Sequence, residues 1–307
     1  MNYKTIFKIL LESFKQTFSG IIWKFIGGSA GSLIAVLLFA KNAFGESAHN
    51  SIFVAAILLS ILYGFRFFII LCRNSFHYLH EVYRESKYGQ AIVTLKEMFA
   101  DVHLLRKKEL FEDKEFMEVM KMICNELKSL FETNNSCKCS VSIKVPVAGK
   151  ITKDTLISEL AVSNLCRDSE ATGIRDTQKY NSTNHTITGN TPYNVIVENV
   201  FKRHTQKLFY SNNAVSVKDG YQSTSIGTYG NNDLAYQSEI VVPILPIKIE
   251  DKDYDLLGFL CVDCVTKDKF HFKYDVPLVQ GVSDGIYDLL SKRQTIKKQV
   301  PKSIPNG

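Results

Sequence analysis

Cysteine supplies the densest chemistry in this sequence. Cys137-x-Cys139 and Cys261-x-x-Cys264 form two close pairs among seven cysteines, the others being Cys72, Cys124 and Cys166. Four thiolates converging on a tetrahedron at about 2.3 Å would hold zinc, and a thiol pair could serve reduction chemistry. Strand geometry opposes both uses of the second pair. Residues three apart on a strand point to opposite faces, so Cys261 and Cys264 are expected to diverge. Buried structural thiols are the expectation, pairing between distant cysteines stays open, and no metal ligand or cofactor is assigned. His77 and His80 stand three apart and can share a helix face, which an interfacial position explains as well as a ligand pair does. No G-x-x-x-x-G-K-[ST], G-x-S-x-G or H-E-x-x-H signature is present.

A second set of side chains suits the binding of a small molecule. Arg175 can clamp a phosphate or carboxylate. Tyr236 can stack on a ring, and Ser238 and Asp263 can hydrogen-bond one; Asn190 and Thr191 complete the expected ligand contacts. The same six residues also suit ordinary surface loops and strand ends.

These residues must be positioned by a chain of mixed character. It has 307 residues, 45% hydrophobic and 22% charged, with a formal charge of +6. The excess of basic residues suits membrane topology and anionic lipid heads. No compact basic stripe interleaved with aromatics appears, so nucleic acid is not an expected partner. The odd cysteine count, without a dense spacing pattern, points to a reducing compartment.

The long apolar runs lie in residues 21–72. Ile21–Ala40 carries only Lys24, and Ser51–Cys72 carries only Arg66. Each is long enough to span the hydrocarbon core as a helix. Lys24 and Arg66 lie off-centre, so snorkelling is expected, with a partner helix or a pore as the alternative for Arg66. The connection KNAFGESAHN is too short for a domain, so the two spans form a hairpin. Lys4, Lys8, Lys15, Arg73, Arg84 and Lys87 flank the hairpin while the loop has only Lys41. That asymmetry predicts a multi-pass inner (cytoplasmic) membrane protein with both termini in the cytoplasm. Gly27, Gly28, Ala30, Gly31 and Ser32 permit close helix packing, within the hairpin or in an oligomer. Residues 1–20 read as an amphipathic interfacial helix, with Ile6, Leu10, Phe14 and Phe18 four apart.

Residues 73–111 read as a helical linker. Ile92, Leu95, Phe99 and Val102 form one apolar stripe, and Phe116, Met120, Ile123, Leu127 and Leu130 another, with a break in KKELFEDKEF between them. Beyond lie strand expectations at 137–147, 236–244 and 256–265, helices at about 193–203 and 276–291, and a long polar insertion at 167–191. A basic tail, 294–307, is expected to be disordered.

The order helix, strand, insertion, helix, paired strands, closing helix resembles a GAF domain over residues 112–293. The likeness is carried by YQSEIVVPI (236–244), GFLCVDC (258–264) and the closing helix up to Leu290. Weaker echoes lie in LCRDSEATGIRDTQKY and GNTPYNVIVENVF. The resemblance implies an α+β fold, an antiparallel sheet with flanking helices, holding a regulatory cavity for a small metabolite or nucleotide. The expectation is a non-enzymatic, membrane-anchored, homo-oligomeric sensor. A sharper version is an effector that disrupts the membrane on ligand binding, as in defence against phage. A cysteine-based reductase and a non-catalytic scaffold are the alternatives.

Overall fold

A computed structural model describes residues 3–17, 19, 46–171, 184–203, 208–214, 220–223, 236–246 and 255–299. The expected first span (21–40), the first half of its connection (41–45) and Arg175 lie outside the described residues. The chain divides into two units, Met1–Ser86 and Lys87–Gly307.

The first unit holds helix α1 (Tyr3–Thr17) and the beginning of a 62-residue helix, α2 (Glu46–Lys107), which continues into the second unit. Among the described residues this is the one helix long and apolar enough to cross a membrane. Phe53, Ile57, Leu58, Ile61, Phe65, Phe68, Phe76 and Leu79 along it are exposed, whereas Ile70 is buried. An apolar surface of that extent is costly in water and suits lipid. Ser13 and Thr17 are the buried residues of α1. Asn74 Nδ2 donates to Ser13 Oγ (2.9 Å), and Arg66 Nη2 donates to the carbonyls of Gln16 (3.4 Å) and Ser19 (3.3 Å). Arg66 thus reaches carbonyls at and just past the C-terminal end of α1, where a cation is favoured.

The second unit is built on a six-stranded antiparallel sheet of order β3-β2-β1-β6-β5-β4. The strands are β1 (Cys139–Pro146), β2 (Ala161–Arg167), β3 (His185–Thr186), β4 (Phe209–Ser211), β5 (Ser238–Pro243) and β6 (Phe259–Cys264). Alternation divides β1 and β6 between two faces. Val141, Ile143, Leu260, Val262 and Cys264 enter a core with helices α3 (Asp113–Asn135) and α5 (Asp275–Gln299). Phe259 and Cys261 face the opposite way, onto Tyr193, Ile196 and Val197 of helix α4 (Thr191–Glu198). The α+β class expected from the sequence is therefore the observed one.

Local chemistry fixes the elements. Helix α3 opens with a capping box between Glu112 and Glu115 and closes at Ser136, whose φ of 50° is left-handed. Its stripe of Phe116, Met120, Ile123, Leu127 and Leu130 is buried as the three-four spacing requires. The chain breaks between Lys107 and Asp113, inside the polar patch. Strands β2, β3 and β4 gave no clear period because their burial is mixed or they are very short. Helix α4 begins earlier than its apolar positions suggest, with Pro192 in its first turn, and ends in a π-helical turn at Asn199–Arg203. Helix α5 continues past Ser291 because polar contacts hold its last turns. Arg293 Nε and Lys297 Nζ reach Asp113 (2.9 and 3.0 Å), and Gln294 Nε2 donates to Gly149 O (2.9 Å).

Gly258 lies just before β6 with φ +157°, and a Cβ there would stand 2.3 Å from the carbonyl oxygen of Lys144. Two backbones meet, so nothing flexible can yield. Gly258→Ala is expected to destabilise the domain by about 1–3 kcal/mol, read as a lower midpoint in chemical denaturation; an unchanged midpoint would contradict this packing.

Candidate functional site

The sheet face toward α4 is not uniformly apolar. Ser142 and Lys144 of β1 alternate with the core residues Val141 and Ile143, and Arg167 of β2 stands directly opposite Ser142. The β1–β2 register shifts between Ile143 and Lys144, a bulge of the kind that re-aims side chains. Across the sheet, Glu239 of β5 is the direct cross-strand neighbour of Asp263 of β6, and Cys261 neighbours both Ser142 and Val241. Together these strands line a cavity of about 30 Å³, closed over by Asn190, Pro192 and Tyr193 at the start of α4 and by Ser223 and Tyr236.

The charged members are buried: Lys144 is 8% exposed, Arg167 6% and Glu239 4%. Buried charge is tolerable only when opposite charges and hydrogen bonds offset desolvation. Lys144 and Arg167 line the same small cavity as the carboxyls of Glu239 and Asp263. Lys144 Nζ also lies 5.4 Å from the centroid of the Tyr193 ring. Tyr221 OH donates to Glu239 Oε2 (2.7 Å) and shares a 2.8 Å hydrogen bond with Tyr236 OH. Burial, then the neighbouring Asp263 charge, pushes the Glu239 carboxyl up to about 8, with Tyr221 and Lys144 pulling the other way. Glu239 is therefore mainly protonated at neutral pH. Burial likewise pushes the Cys261 thiol up to about 12, and Tyr193 OH lies 3.7 Å from its Sγ. A thiol so held is a poor nucleophile.

Of the residues singled out in the sequence, Asn190, Tyr236 and Asp263 line this cavity. Asn190 Nδ2 donates to Thr186 O (2.7 Å), which holds the entrance to α4. Thr191 does not line it; its hydroxyl joins Gly220 O (3.1 Å) and Gln222 N (2.7 Å), fastening the 220–222 segment. Ser238 does not line it either. It is fully buried, and its Oγ donates to Asn212 O (3.1 Å) and Thr266 O (2.8 Å). Arg175 lies outside the described residues. Lys144, Arg167 and Glu239 are not legible as site residues in the sequence; Lys144 and Glu239 carry a signal, a charged residue inside an expected strand, and Arg167 at the end of β2 carries none. Cys261 and Cys264 do diverge, into different cores. Cys264 is instead disulfide-bonded to Cys137, 127 residues away in sequence.

No family model matches the chain, and no curated protein matches it. Solved structures similar to it include the GAF domain of an Acinetobacter phosphoenolpyruvate-protein phosphotransferase, at 8% identity and a TM-score of 0.41, covering 67% of this chain and 96% of that one. Another is a type II free methionine-R-sulfoxide reductase from Thermoplasma acidophilum, at 17% identity and 0.38, covering 59% and 96%. A third is the phycoerythrobilin-bound GAF domain of a cyanobacterial phytochrome, at 11% identity and 0.37, covering 66% and 97%.

Glu239 titrates at about 8 in the folded chain against an ordinary 4.5. The folded state therefore binds this proton more tightly, and the stability it contributes falls as pH rises from 4.5 through 8. Glu239→Gln, which keeps a neutral side chain, is expected to abolish that part of the decline. Thermal midpoints of both proteins across this range measure it; parallel curves would show that Glu239 is ionised throughout.

Proposed function

We propose that this chain is a GAF-type sensor of a small polar metabolite, tethered to a membrane by its N-terminal apolar helices, and that it acts by binding and not by catalysis. The observation that carries the reading is the buried cavity lined by Lys144, Arg167, Glu239 and Asp263 on one sheet face. Polar groups of both signs gathered in one cavity are the groups a ligand with an anionic and a donor end would engage. Arg167 and Lys144 suit the anion, while Asp263, Glu239 and Tyr236 suit the donor. The cavity of about 30 Å³ has room for little more than one water. Ligand entry therefore requires the cover of Asn190–Tyr193, Ser223 and Tyr236 to part, and that movement is the signal.

A route outward is available. Asp263 belongs to β6, and β6 leads through residues 265–274 to α5. There Asp275 accepts hydrogen bonds from Tyr88 OH of α2 (2.5 Å) and from His271 N (2.6 Å). Helix α2 is the same helix whose earlier residues form the apolar segment. In the sharper form of the proposal, binding reorganises this helix and opens or disrupts the membrane. The reductase alternative needs a reactive thiol at the cavity. Cys261 is the cysteine lining it, and its thiol is held protonated.

Native mass spectrometry of the full-length protein, released from detergent, is expected to show a co-purifying small molecule that Arg167→Ala and Asp263→Asn lose. An empty protein whose thermal midpoint no charged metabolite shifts would leave only a scaffold. For the sharper form, expression under activating conditions is expected to slow growth, and bulky replacements at Gly28 or Gly31 to relieve it. Growth inhibition that persists in those variants would separate toxicity from the hairpin.

A further inference from the structure

On the sheet face away from the cavity, three sulfurs meet. Cys139 is the direct cross-strand neighbour of Cys264, and Cys137 stands two residues before Cys139, so alternation sends both to the same side. The Sγ atoms of Cys137, Cys139 and Cys264 all lie within 4.8 Å of one another, and those of Cys137 and Cys139 are 3.7 Å apart. We propose that in the reduced protein Cys137, Cys139 and Cys264 form a three-thiolate site for a thiophilic closed-shell cation such as zinc.

Three observations support a built site over a chance meeting of thiols. First, Cys139 and Cys264 are direct partners at the adjacent ends of β1 and β6, with Cys137 two residues before β1, so two of the sulfurs are held by strand pairing before any ion arrives. Second, the surrounding groups suit a cation held by thiolates. Thr266 N donates to Cys264 Sγ (3.5 Å), and the Glu132 carboxylate accepts from Cys139 N (3.0 Å), adding negative charge beside the trio. Third, access is graded: Cys139 and Cys264 are buried, whereas Cys137 is half-buried and offers a way in. Three thiolates leave a fourth position for water or another ligand.

The disulfide between Cys137 and Cys264 is the oxidised form of the same trio. Two equivalents of a thiol reductant open it; the sulfurs take up two electrons and two protons, and the reductant leaves as its disulfide. Cation binding then displaces the thiol protons to solvent. Oxidation and metal binding compete for the same sulfurs, so the site would respond to the redox state of its compartment. It also sits at the end of α3, where Lys87 Nζ of α2 donates to the carbonyls of Thr133 and Asn134, both at 3.3 Å.

The test uses full-length protein in detergent, reduced with a phosphine, stripped of metal and titrated with Zn²⁺ against a chromophoric chelator. One zinc per chain is expected. Cys139→Ser and, at a half-buried position that tolerates change, Cys137→Ser are expected to weaken binding about tenfold or more, while the exposed Cys72→Ser leaves it unchanged. Cobalt in place of zinc is expected to give a thiolate charge-transfer band that both site variants lose. The proposal is overturned by reduced protein that takes up no zinc, or by Cys72→Ser weakening binding as much as Cys137→Ser does.

Discussion

The second unit depends on how one sheet face accommodates buried charge. Glu239 and Asp263 stand directly across from each other on β5 and β6, an arrangement that is unfavourable if both are ionised. The fold relieves it twice over. Glu239 holds its proton to about pH 8, and Lys144 and Arg167 bring positive charge to the same cavity. Tyr221 and Tyr236 extend the network with short hydrogen bonds. A cluster of this kind adds little stability compared with an apolar replacement, and a domain that needed only a core would have no reason to keep it. Asn190, Pro192 and Tyr193 at the start of α4 lie over it.

The other face does the holding. Helices α3 and α5 cover it with one continuous core, and the second half of α2 joins that core through Met98, Val102 and Leu105. Packing there is close enough that a Cβ on Gly285 would lie 2.5 Å from the Phe99 ring. Arg106 pairs with Asp288 at 2.5 Å, and Lys292 Nζ caps Arg106 O at 2.8 Å. These contacts tie the end of α2 to the closing helix along several turns, so a shift of α5 is a shift of α2. Interiors of this density move as packed units and do not deform gradually.

The amphipathic helices and the central strands were legible because their period matches their burial. The stripes of α3 and α5 and the apolar run of β6 each read directly as core. What stayed hidden follows from the same logic. Strand β2 is half-buried along most of its length, β3 has two residues and β4 three, so none carries a usable period. At the cavity, Asn190, Tyr236 and Asp263 stood out as polar residues beside apolar runs. Lys144 and Glu239 stay hidden because a charge in a strand is ordinarily read as facing water, and Arg167 because it falls where the polar insertion is expected. Only the third dimension shows that this face is covered. Ser238 was misread for the converse reason: its hydroxyl serves the Asn212 and Thr266 carbonyls on the other side of β5.

Strand β6 is where these separate demands meet. Its odd positions send Cys261 and Asp263 to the cavity, while Leu260, Val262 and Cys264 face the α3–α5 core. A side-chain period of two lets one strand present a polar site on one face and a sulfur cluster on the other. It also means that neither can move alone, because β6 is paired on both edges, with β1 and with β5. A change at the cavity strong enough to shift Asp263 must be felt at Cys264 one residue later, and at the loop from Cys264 to Asp275 that begins α5.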